Sequence, residues 1–222
     1  MHRCMQVVAS WTMTGQAAAE RAYAYTKRQI ITGALAGGTR LSEGRICEEL
    51  DLSRTPVHEA FLRLAAERLI TLSSRQGATV NPVSVSEAAD VVEMRGAIER
   101  TAAARVAAQR PDAAEVDAAL TGPLKRQEAA LAAGDLEAYV EADADFHAAV
   151  IALSGNPIAV HFFDLLRDRQ LRLAYLVLSR SGVVLDLSFR EHREMAACLG
   201  RHDAAGYHAV LDLHLSRHQG LA

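Results

Sequence analysis

Cysteine is scarce in this sequence. Cys4, Cys47 and Cys198 are odd in number and widely spaced among 222 residues. They frame neither a disulfide scaffold nor a thiolate metal site, and they suit a reducing cytoplasm. Aromatic residues are also few, at 5 %. With abundant alanine, this favours closely packed helices. No apolar run approaches the ~20 residues that a membrane helix needs, so no membrane span is expected. Residues 1–16 carry a lone Arg3 and no sustained apolar block, which argues against a secretory signal. Beyond the alanine richness there is no internal repeat and no low-complexity tract.

Half of the residues are hydrophobic, enough for a sizeable core in one large domain or two small ones. The net charge of −3 is unevenly spread. Residues 21–75 hold nine Lys/Arg against six Asp/Glu, a balance of +3, whereas residues 76–222 hold 14 against 20, a balance of −6. A basic first third and an acidic remainder suggest that only the first part meets a polyanion.

The most informative stretch is Leu52 to Leu64. Ser53 can cap a helix with Pro56 in its first turn, where a missing N–H costs little. Val57, Ala60, Phe61 and Leu64 recur at i, i+3, i+4 and i+7, one apolar stripe to set against a core. Arg54, Thr55, His58 and Glu59 are left near the exposed end. A helix N-terminus bearing Ser, Arg and Thr suits phosphate oxygens and base edges, although an ordinary amphipathic surface helix has the same pattern.

The neighbours of this stretch decide between those readings. A helical pattern over 17–35 stops at Gly37-Gly38. Ser42 caps a short helix, 43–50, that carries Arg45, and Leu52-Ser53 links it tightly to the next; this is a helix-turn-helix pattern. Two β-prone runs follow, 69–72 and 78–80, joined by a Gly-containing connector that reads as a hairpin. Three helices and a hairpin make a winged helix, with Arg75, Gln76 and Gly77 at the wing tip and Asn81-Pro82 as a linker. Residues 1–16 lack periodicity and are expected to be disordered or part of a mis-assigned start, since Met5 and Met13 also occur. The first domain is thus 17–82. Residues 84–222 read as an all-helical bundle, with breaks near 110–112, 134–135, 155–157, 179–184 and 200–203.

The bundle contains a metal-shaped constellation. Asp143 and His147 are four apart and share one helix face, and His192 and His214 occur on later helices. One carboxylate and three imidazoles suit Zn, Ni, Mn or Fe, with positions left for water or a ligand. The competing possibility is that these are satisfied or surface groups. His161 and His218 compete as ligands, while His2, His202 and His208 read as surface residues. Arg95 and Glu99, four apart, form either a local salt bridge or a pair in which Arg95 clamps a carboxylate beside the metal. Arg172 and Arg190 are further candidates for the same contact.

With these motifs in view, the chain from about 18 to 218 resembles the GntR family of bacterial transcription regulators, in its FadR-like branch with the FCD effector domain. Gly38 to Glu43 and Leu52 to Phe61 carry the DNA-binding motif. Met94-Arg95-Gly96-Ala97-Ile98-Glu99, Asp143 to His147, Gly155-Asn156-Pro157, Glu191-His192 and His214-Leu215 carry the effector domain. The resemblance implies DNA contacts by Arg45, Ser53, Arg54, Thr55, Gln76 and Gly77, with residues 53–63, including His58 and Arg63, in a major groove. It implies metal ligation by Asp143, His147, His192 and His214, and a small carboxylate effector over that metal. The family commonly has arginine where this chain has His58, a shorter side chain, so the departure bears on the operator sequence more than on DNA binding itself. The expected function is a cytoplasmic, homodimeric, metabolite-responsive repressor of a palindromic operator, not an enzyme. The alternative is a metal-dependent hydrolase or lyase at the Asp/His₃ site, with Glu99 or Glu191 as base.

Overall fold

Val57, Ala60, Phe61 and Leu64 share one face of helix α3 (Arg54–Ala66), and all four are fully buried. They anchor the first of two compact units, Met1–Pro82 and Val83–Ala222, in the computed structural model, which describes residues 2–73, 77–179 and 182–219. Ahead of α3 lie α1 (His2–Ile31), strand β1 (Arg40–Leu41) and α2 (Glu43–Leu50). After it come β2 (Ile70–Ser73) and β3 (Gly77–Val80). Ser42 caps α2 by accepting from the Arg45 amide at 3.2 Å. Asp51, in the left-handed region at φ 51°, turns the chain into α3. The apolar faces of α1, α2 and α3 meet the hairpin around Ile30, Ile46, Phe61 and Val80. Burying Phe61 alone is worth about 1.5–3 kcal/mol.

The sheet is antiparallel in the order β1-β3-β2, with Ser73 opposite Gly77 and Leu41 opposite Ala78. β1 is a strand that the sequence patterning did not reveal, because two residues carry no period. Gly77 sits at φ +82°, and a Cβ there would come within 2.4 Å of the Leu41 carbonyl oxygen, so β1 can lie against the wing only over a glycine. Arg75 and Gln76, expected at the wing tip, lie outside the described residues. A second difference is at the start of the chain. Helix α1 runs back to His2, where disorder was expected over 1–16. Residues 2–14 contain neither Gly nor Pro, and a helix already nucleated by the packed turns from Ala19 onward propagates at little cost.

The second unit is helical throughout its described residues: α4 (Val85–Gln109), α5 (Ala113–Ala133), α6 (Leu136–Leu153), α7 (Pro157–Leu178), α8 (Gly182–Gly200) and α9 (Ala204–Gln219). Ser84, Asp112, Asp135 and Asn156 cap the first four through their side chains, which sets the register of each helix. Helix α8 begins at Gly182, inside the stretch read from sequence as a loop. The apolar core gathers Val106, Leu120, Phe146, Leu199, Tyr207 and Leu211 from five of the helices. The fold is therefore mainly α, a winged helix-turn-helix followed by a helical bundle.

Candidate metal centre and nucleic-acid interface

Three helices of the second unit turn polar groups toward one point in its interior. Asp143 and His147 stand one turn apart on α6, His192 comes from α8 and His214 from α9. All four are at most 3 % exposed, and their ligating atoms lie within 4.8 Å of one another. The Nε2 atoms of His147 and His192 are 3.0 Å apart, and His192 Nε2 is 3.4 Å from Asp143 Oδ1. His161 stands on α7 with an exposed side chain and is not part of this cluster. The side chain of His218 lies outside the described residues.

The outer ring nitrogens decide what the inner ones can do. His147 Nδ1 faces Glu99 Oε2 at 2.7 Å, His214 Nδ1 faces Glu191 Oε2 at 3.1 Å, and His192 Nδ1 faces Gln127 Oε1 at 2.8 Å. Each of these oxygens accepts, so each Nδ1 carries the proton and each Nε2 presents a lone pair to the centre. Two lone pairs facing at 3.0 Å beside a carboxylate repel, and a shared divalent cation resolves that repulsion. The donor set thus fits a borderline metal, and the carboxylate and amide partners are the outer support that such histidines ordinarily have.

A buried ion network frames the cluster. Arg95 Nε donates to Glu99 Oε1 at 2.7 Å, the Tyr207 hydroxyl donates to Glu99 Oε2 at 3.2 Å, and Arg95 Nη2 lies 3.4 Å from His214 Nε2. Burial alone would raise the Glu99 carboxyl; His147 and Arg95 outweigh it and hold it at about 2. Burial pushes the Asp143 carboxyl above its usual range, and burial with the charge of Glu99 pushes the Tyr207 hydroxyl well up. Tyr207 therefore stays protonated and donates.

The effector candidates separate. Arg95 is buried at the cluster. Glu99, grouped with the effector contacts by sequence, has its oxygens engaged by Arg95, His147 and Tyr207 and supports the ligands instead. Arg172 is buried on α7, the one helix of α6–α9 that contributes no ligand, with Glu87 at the start of α4 as a charged influence. Arg190 corrects the sequence expectation. It is 71 % exposed, pairs with Asp186, and lies two residues from His192 on the opposite face of α8. Gln127 and Tyr207 escaped the sequence reading. Gln127 was traceable as the one polar member of the α5 stripe Val116, Leu120, Pro123 and Ala130.

In the first unit, the start of α3 is turned outward. Ser53, Arg54, Thr55, His58 and Glu59 are exposed, and the Ser53 hydroxyl makes no capping bond. Arg54 has no ion-pair partner among the described residues. Other candidates are tethered. His58 Nδ1 meets Glu43 Oε1 at 2.7 Å, and Arg45 Nε meets Glu49 Oε1 at 2.7 Å. Arg63 is turned to α1, donating to Glu20 at 2.6 Å with its guanidinium 3.7 Å above the Tyr23 ring. The arrangement leaves Arg54 and the free hydroxyls as the groups best placed for phosphate and base edges.

Comparison with known proteins agrees with this division. Residues 90–217 match the FCD domain, and residues 18–80 match the bacterial regulatory proteins of the gntR family. The chain is similar to the HTH-type transcriptional repressor RspR of Escherichia coli strain K12, 26 % identical over 196 residues, or 88 % of this chain and 85 % of that one. It is also similar to an HTH-type regulator from the TAR-I ttuE-ttuC' intergenic region of Agrobacterium vitis, 32 % identical over 61 % of this chain and 80 % of the relative. Among solved structures, a GntR-type regulator from Rhodococcus sp. RHA1 superimposes with a TM-score of 0.75 at 20 % identity, covering 90 % of this chain and 95 % of that one. E. coli McbR/YncC gives 0.71 at 24 % identity, covering 90 % and 93 %. These structures share the fold.

Proposed function

The chain belongs to the GntR family and carries an FCD domain, and from that premise we propose that it is a metal-dependent, metabolite-responsive repressor of the FadR-like branch. It is a DNA-binding transcription regulator, not an enzyme. One observation carries the metal-dependent sensing role. Three buried imidazoles, each with Nδ1 facing its own acceptor oxygen, bring their ligating atoms together with Asp143 within 4.8 Å of one another.

Asp143, His147, His192 and His214 would hold the ion, drawn from Zn, Ni, Mn or Fe. When bound, the metal supplies a Lewis-acidic docking point for a carboxylate oxygen. Arg95, held by Glu99, offers its remaining N–H groups to the same small carboxylate. In the first unit, Ser53, Arg54 and Thr55 enter the major groove, with His58 beside them and Arg45, Arg75, Gln76 and Gly77 making flanking contacts. A homodimer would read a palindromic operator. The exposed stripe Ile158, Phe162 and Leu165 on α7, 55–64 % exposed at i, i+4 and i+7, supports a self-association face. No described helix is long and apolar enough to cross a membrane, and a cytoplasmic location belongs to this proposal.

The test is fluorescence anisotropy of the full chain on DNA from its own upstream region, with the protein metal-loaded or metal-stripped, across a panel of small carboxylic acids. Operator affinity is expected to change with one class of acid only when metal is present. Unchanged affinity with every acid would overturn the sensing half, and absence of specific binding would overturn the repressor.

A further inference from the structure

The geometry points to Gln127 as a positioning residue that sets two of the four ligands at once, the tautomer of His192 and the orientation of Asp143; the inference rests on the metal reading above. Gln127 is fully buried on α5, a helix that supplies no ligand itself. Its Oε1 accepts from His192 Nδ1 at 2.8 Å, and its Nε2 donates to Asp143 Oδ1 at 3.3 Å. The two bonds fix the amide in one sense, because a flipped amide would set N–H against N–H and oxygen against oxygen.

The other two supports are carboxylates, Glu99 and Glu191, each paired with an arginine, Arg95 and Arg217. A carboxylate at 127 could accept from His192. It could not donate to Asp143, and it would place a second negative charge about as close to Asp143 as the amide nitrogen now stands. A methionine would match the length and supply neither bond. The amide is therefore the group that joins α6 and α8 through the centre without adding charge, and it holds His192 Nε2 inward whether or not the other ligands are in place.

The experiment uses the full chain, metal-stripped, with Co2+ as the probe. Affinity is read by competition titration, the ligand field by visible absorption, and folding by thermal melting without metal. Gln127→Met is expected to lower Co2+ affinity by about 10- to 100-fold and to alter the visible spectrum, while the metal-free chain still melts cooperatively at a lower midpoint. Gln127→Glu, which restores the acceptor, is expected to bind Co2+ more tightly than Gln127→Met. Gln109→Met removes a different amide bond of the same unit, to the Ser154 carbonyl at 3.2 Å, and is expected to leave the spectrum unchanged.

Wild-type affinity and spectrum in Gln127→Met would overturn the inference. Should that variant fail to fold, 15N spectra of the wild-type histidines decide. Nδ1–H on His192 supports the assignment, and Nε2–H overturns it. Failure of the wild-type chain itself to bind Co2+ would overturn the metal reading beneath it, a result distinct from tight binding that ignores residue 127.

Discussion

The two units handle polar side chains in opposite ways. In Met1–Pro82 the one buried polar side chain among the described residues is Thr26; the charges lie on the surface as solvated pairs such as Arg45–Glu49 and Lys27–Glu67. In Val83–Ala222 Arg95, Glu99, Gln127, Asp143 and three histidines are sealed inside. The difference fits what each unit would grip under the proposed function. A DNA surface is long, wet and anionic, so exposed side chains that can readjust serve it. A chelated ion is a point, and ligands hold their geometry around it only where water is excluded and every remaining polar atom has a partner.

The largest effect that would sharpen this contrast comes from the buried network. Glu99→Leu strips Arg95 of its hydrogen-bonded carboxylate in the interior and is expected to destabilise the second unit by about 3–5 kcal/mol, measured by urea unfolding. An effect under about 1 kcal/mol would mean that the network behaves like a surface pair. Arg54→Ala is expected to weaken operator binding by about 1–3 kcal/mol in anisotropy titrations, with metal content by elemental analysis unchanged. A loss of metal in that variant would break the division of labour.

The smallest effect comes from the first unit's surface. Lys27→Met removes an ion pair at 2.9 Å to a half-exposed Glu67 and is expected to cost about 0.2–1 kcal/mol. Acid sharpens the same comparison. Burial raises the Glu67 carboxyl, but bonds from Tyr23 and Lys27 outweigh it and hold it below 4.5. Its contribution is therefore complete above pH 4.5 and is lost as pH falls through the folded value. Glu99, held at about 2, follows the same sign but keeps part of its contribution until pH approaches 2. Melting midpoints against pH, with Glu67→Gln as control for the first unit, are expected to show this contribution of the first unit fading at higher pH than that of Glu99.

Much of the site was legible because its signals are local. Asp143 and His147 share a face by spacing alone, and the α3 stripe follows from a 3.6-residue period. The partners of Arg63 and Arg190 were not legible for one reason: spacing places a side chain on a helix but does not say what packs opposite. Tyr23 and Glu20 of α1 claim Arg63, and Asp186 holds Arg190 on the outer face. Strand β1 and the start of α1 escaped because two residues carry no period and because helix propagation depends on the packed turns that follow.

The order of residues by itself determined the helices, their caps, their apolar faces and the division into a DNA-reading head and a helical bundle, since these depend on neighbours a few positions away. The tertiary structure alone decided that His214 meets Arg95 across 119 positions and that Gln127 holds both His192 and Asp143. Those contacts arise only when separate helices close on one another, and no local period encodes which faces will meet.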